Sequence, residues 1–241
     1  MTAAAATGAQ GKSLAIVQSC YIPWKGYFDL INGVDEFVLF DDRQFTKRDW
    51  RNRNRVKTPD GTIWLTIGVQ VKGRFQQRID ETLVSDPGWS RDHWRTLMGA
   101  YSAAPHFEMY RDRLERAYAE LADEPRLSAI NRRLLEEVCD ILGVRTELRW
   151  STDYDVEGSR TARLVNLCCA AGATHYISGP RARAYLEEEA FADARVGLSY
   201  ADYEGYPRYP QLHPPFEHEV TILDLIFNTG PDTPRYMKSF G

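Results

Sequence analysis

The chain alternates short apolar runs with helical segments at both of its ends, and this alternation limits the fold more than any other feature. Near the start, apolar runs at residues 14–17 and 37–40 flank a short helical pattern that ends at Gly33. Near the end, strand patterns at residues 147–150, 175–177 and 198–200 alternate with helical stretches. Strand–helix–strand units favour parallel strands with helices on both faces of one sheet. The sequence therefore predicts an α/β fold with a mainly parallel, Rossmann-like sheet flanked by helices.

The middle of the chain has a different pattern. Apolar, β-favouring residues at 63–67 and 79–84 are separated by a turn signal near Gly73, which predicts a β-hairpin insertion. Three helical stretches follow, and Gly143 is a typical C-cap for the third. We predict these helices at residues 89–101, 106–121 and 127–142. We therefore expect a disordered tail over residues 1–12 and a single α/β domain over residues 13–241, with a helical insertion at about residues 89–143.

Charge and cysteine content narrow the choice of partners. The chain has 241 residues and a net charge of −4, which disfavours nucleic acid and anionic membranes. Its four cysteines form no CxxC pair, so we expect a reducing, cytoplasmic location rather than a disulfide scaffold. No apolar run approaches the roughly 18 residues that a membrane span needs. We expect the partner to be a small anionic or activated metabolite, and the sequence leaves open whether the protein forms a homo-oligomer.

The most polar segment of the chain, residues 41–55, directly follows an apolar run. So many carboxylates, guanidiniums and amides beside a strand end are costly unless they form an ordered polar site. The candidate catalytic residues of this segment are Asp42, as a general base, and Lys47. Its candidate substrate-binding residues are Asp41, Gln44, Asn52 and Arg53. A structural web of Asp–Arg ion pairs explains the same composition, and the sequence does not decide between the two interpretations.

The loop at residues 18–27 lies between the first strand and the first helix, where open α/β sheets bind ligands. If the first two strands are parallel, this loop meets residues 41–55 at the same edge of the sheet. Its candidate substrate-binding residues are Gln18, Tyr21 and Trp24. The loop carries neither of the two common glycine-rich phosphate-binding patterns. A Pro-Trp segment packed on the core is the alternative interpretation.

Two later segments add candidates. Ser178 and Gly179 stand at a strand-to-helix junction, where free backbone N–H groups attract anions, although a plain N-cap role for Ser178 explains the pattern equally well. Near the end, Tyr206, Tyr209 and His213 belong to a proline-rich aromatic loop that suits a flat ligand. His213 is a further candidate general base. The sequence indicates no metal site and identifies no cofactor.

Together these segments resemble the WbqC-like protein family over nearly the whole chain, from residue 14 to residue 240. The motifs that carry the resemblance are QSCYIPWKGYFDL at residues 18–30, DDRQFTKRDWRNRNR at 41–55, WLT at 64–66, YISGP at 176–180, YPQLHPPFEH at 209–218 and LDLIFN at 223–228. The resemblance implies an accessory enzyme of bacterial surface-polysaccharide or specialised-metabolite pathways. Cys20 and Arg43 depart from the expected family pattern, which commonly has Asn or an aromatic residue at the first position and Val at the second.

The residues and the resemblance together lead to one preferred hypothesis. We expect a transferase that moves a group from a small activated metabolite, such as a nucleotide sugar or an acyl or aminoacyl donor. The competing hypothesis is a non-catalytic ligand-binding or scaffolding subunit of a biosynthetic complex. Turnover of a donor separates the two.

Overall fold

The computed structural model describes residues 11–240, so residues 1–10 of the expected tail and residue 241 lie outside the described part. Lys12, the last residue of that tail, donates from Nζ to Glu36 at 2.7 Å and to the carbonyl of Ala171 at 2.9 Å. The main chain therefore joins the fold from this residue onward. The strands are β1 (Ser13–Val17), β2 (Glu36–Leu39), β3 (Arg53–Thr58), β4 (Gly61–Thr66), β5 (Glu147–Trp150), β6 (His175–Ser178) and β7 (Gly197–Tyr200).

Five of these strands form one parallel sheet in the order β5–β2–β1–β6–β7, which confirms the predicted fold class. Along β1 and β2, alternate side chains enter different apolar clusters. Ala15 and Phe37 belong to one cluster, and Leu14 and Val38 belong to the other. Because helices cover both faces, these strands are apolar after their first residues, Ser13 and Glu36, and show no polar alternation.

Seven α-helices surround the sheet over residues 11–240. They are α1 (Lys25–Asn32), α2 (Trp89–Tyr101), α3 (Phe107–Glu120), α4 (Leu127–Leu142), α5 (Arg160–Ala170), α6 (Glu188–Asp193) and α7 (Ile222–Thr229). The first and third helices of the predicted insertion are confirmed to the residue. After β6 the chain forms a 3-10 segment at Pro180–Ala184, which precedes the separate α6. None of these helices has the length and apolar character that a bilayer crossing requires.

The β-hairpin lies at different residues from those predicted. β4 pairs antiparallel with β3, from Arg53 opposite Thr66 to Thr58 opposite Gly61. Residues 79–84 do not pair with β4 and take part only in isolated bridges. β3 escaped detection because it buries Asn54 and Lys57 beside Val56, so its buried side lacks the apolar alternation of an ordinary strand.

The order of strands reverses between β1 and β6. From β1 the chain moves outward through β2 to β5, then returns to the opposite side of β1 at β6 and moves outward to β7. At such a reversal, the loops that leave the carboxyl ends of the two central strands diverge and leave a crevice between them. The fold therefore places its natural ligand site beyond the ends of β1 and β6, at Val17 and Ser178.

Candidate functional site

A cavity of about 1310 Å³ lies at the reversal between β1 and β6. Residues from the ends of β1 and β6, from the start of α5 and from the loop before α7 line it. Pockets for small ligands usually have volumes of about 300–1,000 Å³. The cavity therefore has room for a donor and an acceptor together, or for one ligand of several parts.

Six of the predicted site residues line this cavity: Gln18, Trp24, Gln44, Ser178, Gly179 and Tyr206. They come from the ends of β1, β2 and β6 and from the aromatic loop, so the structure brings together the segments that the sequence singled out. The parallel pairing of β1 with β2 explains the meeting, because Phe40 N–H donates to the carbonyl of Val17 at 3.0 Å where the two strands end.

The Trp24 side chain forms one wall of the cavity. Its ring makes edge contacts with Tyr203 and Tyr206, at centroid distances of 5.2 and 5.5 Å. The indole also lies close to Gly26, where an added Cβ would stand 2.4 Å from a ring carbon. The tryptophan and the glycine two residues later therefore act together to place the indole.

Asp41 does not line the cavity. It is 1% exposed, and its carboxylate accepts hydrogen bonds from the Ser19 N–H at 2.7 Å and from the Ser128 hydroxyl. Burial raises the pKa of Asp41, while these hydrogen bonds and the charge of Arg51 oppose the rise. This carboxylate connects the ends of β1 and β2 to α4, so its contacts are those of a structural residue.

Asp42, the proposed base, also lies outside the cavity lining. Its carboxylate pairs with Arg163, lies 3.3 Å from the Arg43 guanidinium, and accepts a hydrogen bond from the Ser151 hydroxyl at 2.8 Å. A carboxylate held by three partners has its oxygens already engaged and is not free to meet a substrate. The geometry therefore fits the ion-pair interpretation of this aspartate.

Three further candidates turn into the core instead of the cavity. The Tyr21 hydroxyl hydrogen-bonds His93 Nδ1 at 2.8 Å, and burial lowers the pKa of His93 to about 4. The Asn52 amide donates to the carbonyl of Ile67 at 2.8 Å. The Tyr209 hydroxyl donates to a buried aspartate at 2.8 Å.

The last three candidates are also absent from the cavity lining. His213 donates from Nε2 to the carbonyl of Ala100 at 2.8 Å. Lys47 is exposed in the turn that follows β2. Arg53 stacks on the ring of Trp64, with its guanidinium carbon 4.1 Å from the ring centroid. None of the three predicted catalytic residues therefore borders the cavity.

The cavity is also lined by four arginines that were not predicted as site residues: Arg43, Arg51, Arg160 and Arg181. Arg51 is occupied, because it donates to the carbonyls of Gln18 and Ser19 and to the sulfur of Cys20. By contrast, Arg160 and Arg181 are exposed, and no carboxylate among residues 11–240 lies within 4.0 Å of either. Arg160 could have been found from topology, because α5 begins at the carboxyl edge of the sheet.

His218 is the one histidine, within the described part of the chain, that lines the cavity. Burial and the positive charges of Lys25 and Arg208 lower its pKa below the ordinary value, so the ring is neutral at pH 7. Its Nδ1 is enclosed and has no hydrogen-bond partner among residues 11–240. This arrangement leaves Nε2 as the nitrogen available to a ligand.

The cavity also contains Cys20, whose reactivity the sequence left open. Burial raises the pKa of this thiol to about 11, although the nearby Arg51 charge opposes the rise. A thiol with so high a pKa carries almost no thiolate at neutral pH and is a poor nucleophile. No group of three or more potential metal ligands of the His, Cys, Asp or Glu type is found over residues 11–240.

Comparison with known proteins gives two matches. The family model described as "WbqC-like protein family" matches residues 18–236. The uncharacterized protein Rv1507c of Mycobacterium tuberculosis is 52% identical over 227 residues, which cover 94% of this chain and 98% of the relative. No solved structure matches the chain.

Proposed function

This chain belongs to the WbqC-like protein family, and we propose that it is an enzyme that transfers a group from a small activated metabolite with an anionic part. The observation that carries the proposal is the cation content of the cavity. Arg160 and Arg181 face this space without carboxylate partners among residues 11–240, on a protein whose net charge is −4. A bacterial surface-polysaccharide or specialised-metabolite pathway is the proposed setting.

The arginines determine the chemical class of the ligand. A guanidinium group offers a planar fork of N–H donors that matches phosphate and carboxylate oxygens. Two such groups, one at the start of α5 and one just after β6, line the same cavity. A ligand with one anionic group, or with two linked ones, is held between them.

His218 is the proposed general base, in place of Asp42, Lys47 and His213. It borders the cavity, and its lowered pKa keeps it neutral and able to accept a proton. The acceptor O–H or N–H gives its proton to this imidazole while its oxygen or nitrogen forms a bond to the activated carbon. The bond from that carbon to the leaving group breaks at the same time, and the leaving group departs with the electron pair toward the arginines.

The aromatic wall supplies orientation and excludes water. The Trp24 ring contacts the rings of Tyr203 and Tyr206 edge to face, and all three line the same cavity as the proposed base. Burial raises the pKa of Tyr203 to about 12, so this hydroxyl stays protonated and can donate a hydrogen bond. The wall therefore offers a flat apolar surface with hydroxyl groups, which suits sugars and other polar rings.

Binding is tested first with inorganic pyrophosphate by calorimetric titration, because this probe contains only the anionic part. The Arg160→Ala/Arg181→Ala double variant should lose at least tenfold in affinity, since each lost charge-assisted hydrogen bond is worth about 1.5–3 kcal/mol. Arg116→Ala is the matched control, because Arg116 is exposed on α3 and does not line the cavity. Equal affinity of the double variant and the control contradicts the proposal.

Catalysis is tested with a panel of nucleotide sugars and acyl donors, each offered together with candidate acceptors. His218→Gln should bind the active donor as the unmodified protein does but should lose turnover by a factor of about 10²–10⁴, the usual contribution of a general base. Donor binding without turnover in the unmodified protein would instead favour the non-catalytic subunit.

A further inference from the structure

The aromatic surface of the cavity continues outside it. Trp50 lines the cavity and is 37% exposed, and its ring centroid lies 5.3 Å from that of Trp64. Trp64 stands on β4 of the hairpin and is 45% exposed. We call Trp50, Trp64 and Arg53 the indole platform. Large exposed indoles are unusual on a soluble protein and mark binding surfaces when they cluster.

The platform is held in place by the protein itself. The Arg53 guanidinium covers one side of the Trp64 ring at 4.1 Å and donates to the carbonyl of Arg48. The two indole planes are inclined by 44°, so neither ring uses its whole face on the other. The next residue of the hairpin, Leu65, is buried and fixes the strand beneath the rings. The exposed faces are therefore preorganised for a third flat group.

The surroundings of the platform are positive. Lys47 and Arg48 are exposed in the turn just before Trp50, and no ion pair to either is found among residues 11–240. The carboxylate of Asp49 in the same turn lies 3.7 Å from Arg51. Arg48 has a φ of 61°, in the left-handed region that side chains rarely adopt. Strained backbone of this kind clusters at binding sites, because the surrounding structure must maintain it.

We propose that the indole platform binds the nucleobase of a nucleotide whose phosphates extend into the cavity. This inference rests on the proposed function and names the class of its donor. A nucleobase is a flat aromatic ring that stacks on tryptophan, and an adjacent arginine strengthens such stacking. Because Trp50 belongs to both the platform and the cavity lining, one ligand can contact both without crossing open solvent.

Charge selects a nucleotide over a neutral ring. The charges of Lys47, Arg48 and Arg53 attract the phosphates of an approaching nucleotide, an attraction that a neutral sugar lacks. The volume of the cavity, about 1310 Å³, also exceeds what a diphosphate alone requires. The base therefore lies on the hairpin, and the activated group lies beside His218.

The test is a calorimetric comparison of UDP, ADP, pyrophosphate and a neutral disaccharide as ligands. Trp64→Ala should lower the affinity for at least one nucleoside diphosphate about tenfold and leave the affinity for pyrophosphate unchanged. Trp64→Phe, which keeps a flat ring, should retain most of the affinity. Ile63→Ala is the matched control, because Ile63 is exposed on the same strand and is not part of the platform.

Four results would overturn the inference. If UDP and ADP bind no better than pyrophosphate, and Trp64→Ala changes the affinity for neither nucleotide, the platform has no role in binding. Pyrophosphate binding that depends on the arginines would still support the proposed function in that case. If no anion binds, both proposals fail. Disaccharide binding as tight as nucleotide binding and weakened by Trp64→Ala would assign the platform to sugars. Dissociation of a dimer by Trp64→Ala, seen by sedimentation, would assign it to a subunit interface.

Discussion

The protein contains two clusters of polar residues near the carboxyl edge of one sheet, and they differ in whether their charges have partners. In the buried polar network, the charged carboxylate of Asp41 meets complementary groups: Ser19 and Ser128 donate to it, and Asn131 donates to the Ser19 hydroxyl at 2.9 Å. In the cavity, Arg160 and Arg181 have no such partners among residues 11–240. Satisfied groups hold the ends of the strands together, and groups without partners are available to a ligand.

The comparison also explains why residue type alone does not identify the functional residues of this protein. Asp42 and Arg163 are the kinds of residue that active sites use, yet they pair with each other outside the cavity lining. Burying a charge is tolerable only when another charge or several hydrogen bonds compensate it. A cation that needs no such compensation, because it is exposed, keeps its full capacity to bind an anion.

The largest expected effect comes from breaking the buried polar network. Asp41→Ala leaves the Ser19 N–H and the Ser128 hydroxyl without an acceptor in a buried place. We expect a loss of about 3 kcal/mol in the free energy of unfolding. In a chain of this size this corresponds to a fall of about 9 °C in Tm, measured by calorimetry. Asp112→Ala, at an exposed carboxylate on α3, is the control and should change stability by less than about 0.5 kcal/mol.

A smaller effect comes from disturbing the cavity wall. In Gly26→Ala the new methyl group meets the Trp24 ring, which already packs against Tyr203 and Tyr206. We expect a loss of about 2 kcal/mol, because overpacking forces the indole out of place. Urea unfolding measures this loss, and quenching of tryptophan fluorescence reports the new position of the ring.

The helix glycine at position 99 provides the matched control for that change. Gly99 lies inside α2, and an added Cβ there meets no atom within 4 Å. Gly99→Ala should stabilise the protein by about 0.5–1 kcal/mol, because alanine is the better helix former. Equal effects of the two glycine substitutions would show that Trp24 moves freely and does not form a fixed wall.

Lys25 lies between the two cases, because it is a buried cation whose hydrogen bond only partly offsets the cost of its burial. Its Nζ donates to the carbonyl of Pro207 at 3.1 Å and lies 4.8 Å from the Tyr206 ring centroid, and burial lowers its pKa to about 8. The unfolded chain binds this proton up to its ordinary pKa of about 10.4, so the free energy of unfolding rises with pH above the native value. Between pH 8 and 9.5 this group should add about 1.5 kcal/mol of stability, because the native lysine is still half protonated at pH 8.

Urea unfolding at those two pH values measures the contribution. Lys25→Met should lack the rise, whereas Lys72→Met, at an exposed lysine, should keep it. A rise of the same size in both variants would mean that Lys25 is well solvated and that another group causes the pH dependence.

The smallest expected effect on stability is at the cavity arginines. Arg160→Ala and Arg181→Ala remove no ion pair within residues 11–240, so each should change the free energy of unfolding by less than about 0.5 kcal/mol. The same two substitutions carry the predicted loss of anion binding. A destabilisation of about 2 kcal/mol in either variant would place that arginine with the structural groups and remove the contrast between the clusters.

The sequence predicted the parallel sheet because strand composition and glycine C-caps are local signals. It predicted the meeting of Gln18, Trp24 and Ser178 because parallel strands bring their carboxyl ends together. It could not show which aspartates are structural, since Ser128, a partner of Asp41, and Arg163, a partner of Asp42, lie 87 and 121 residues farther along the chain. Only tertiary contacts decide which polar groups are satisfied, and local pattern contains no information about them.

Chemical labelling of arginines with phenylglyoxal, read by peptide mass spectrometry, tests the contrast between the two clusters most directly. Arg160 and Arg181 should react readily in the free protein and become protected when pyrophosphate is added, while the exposed Arg116 should react equally in both conditions. Arg163 and Arg51, which are mostly buried and engaged, should stay unmodified throughout. Unchanged labelling of Arg160 and Arg181 at saturating pyrophosphate, or ready labelling of Arg163, would contradict the account.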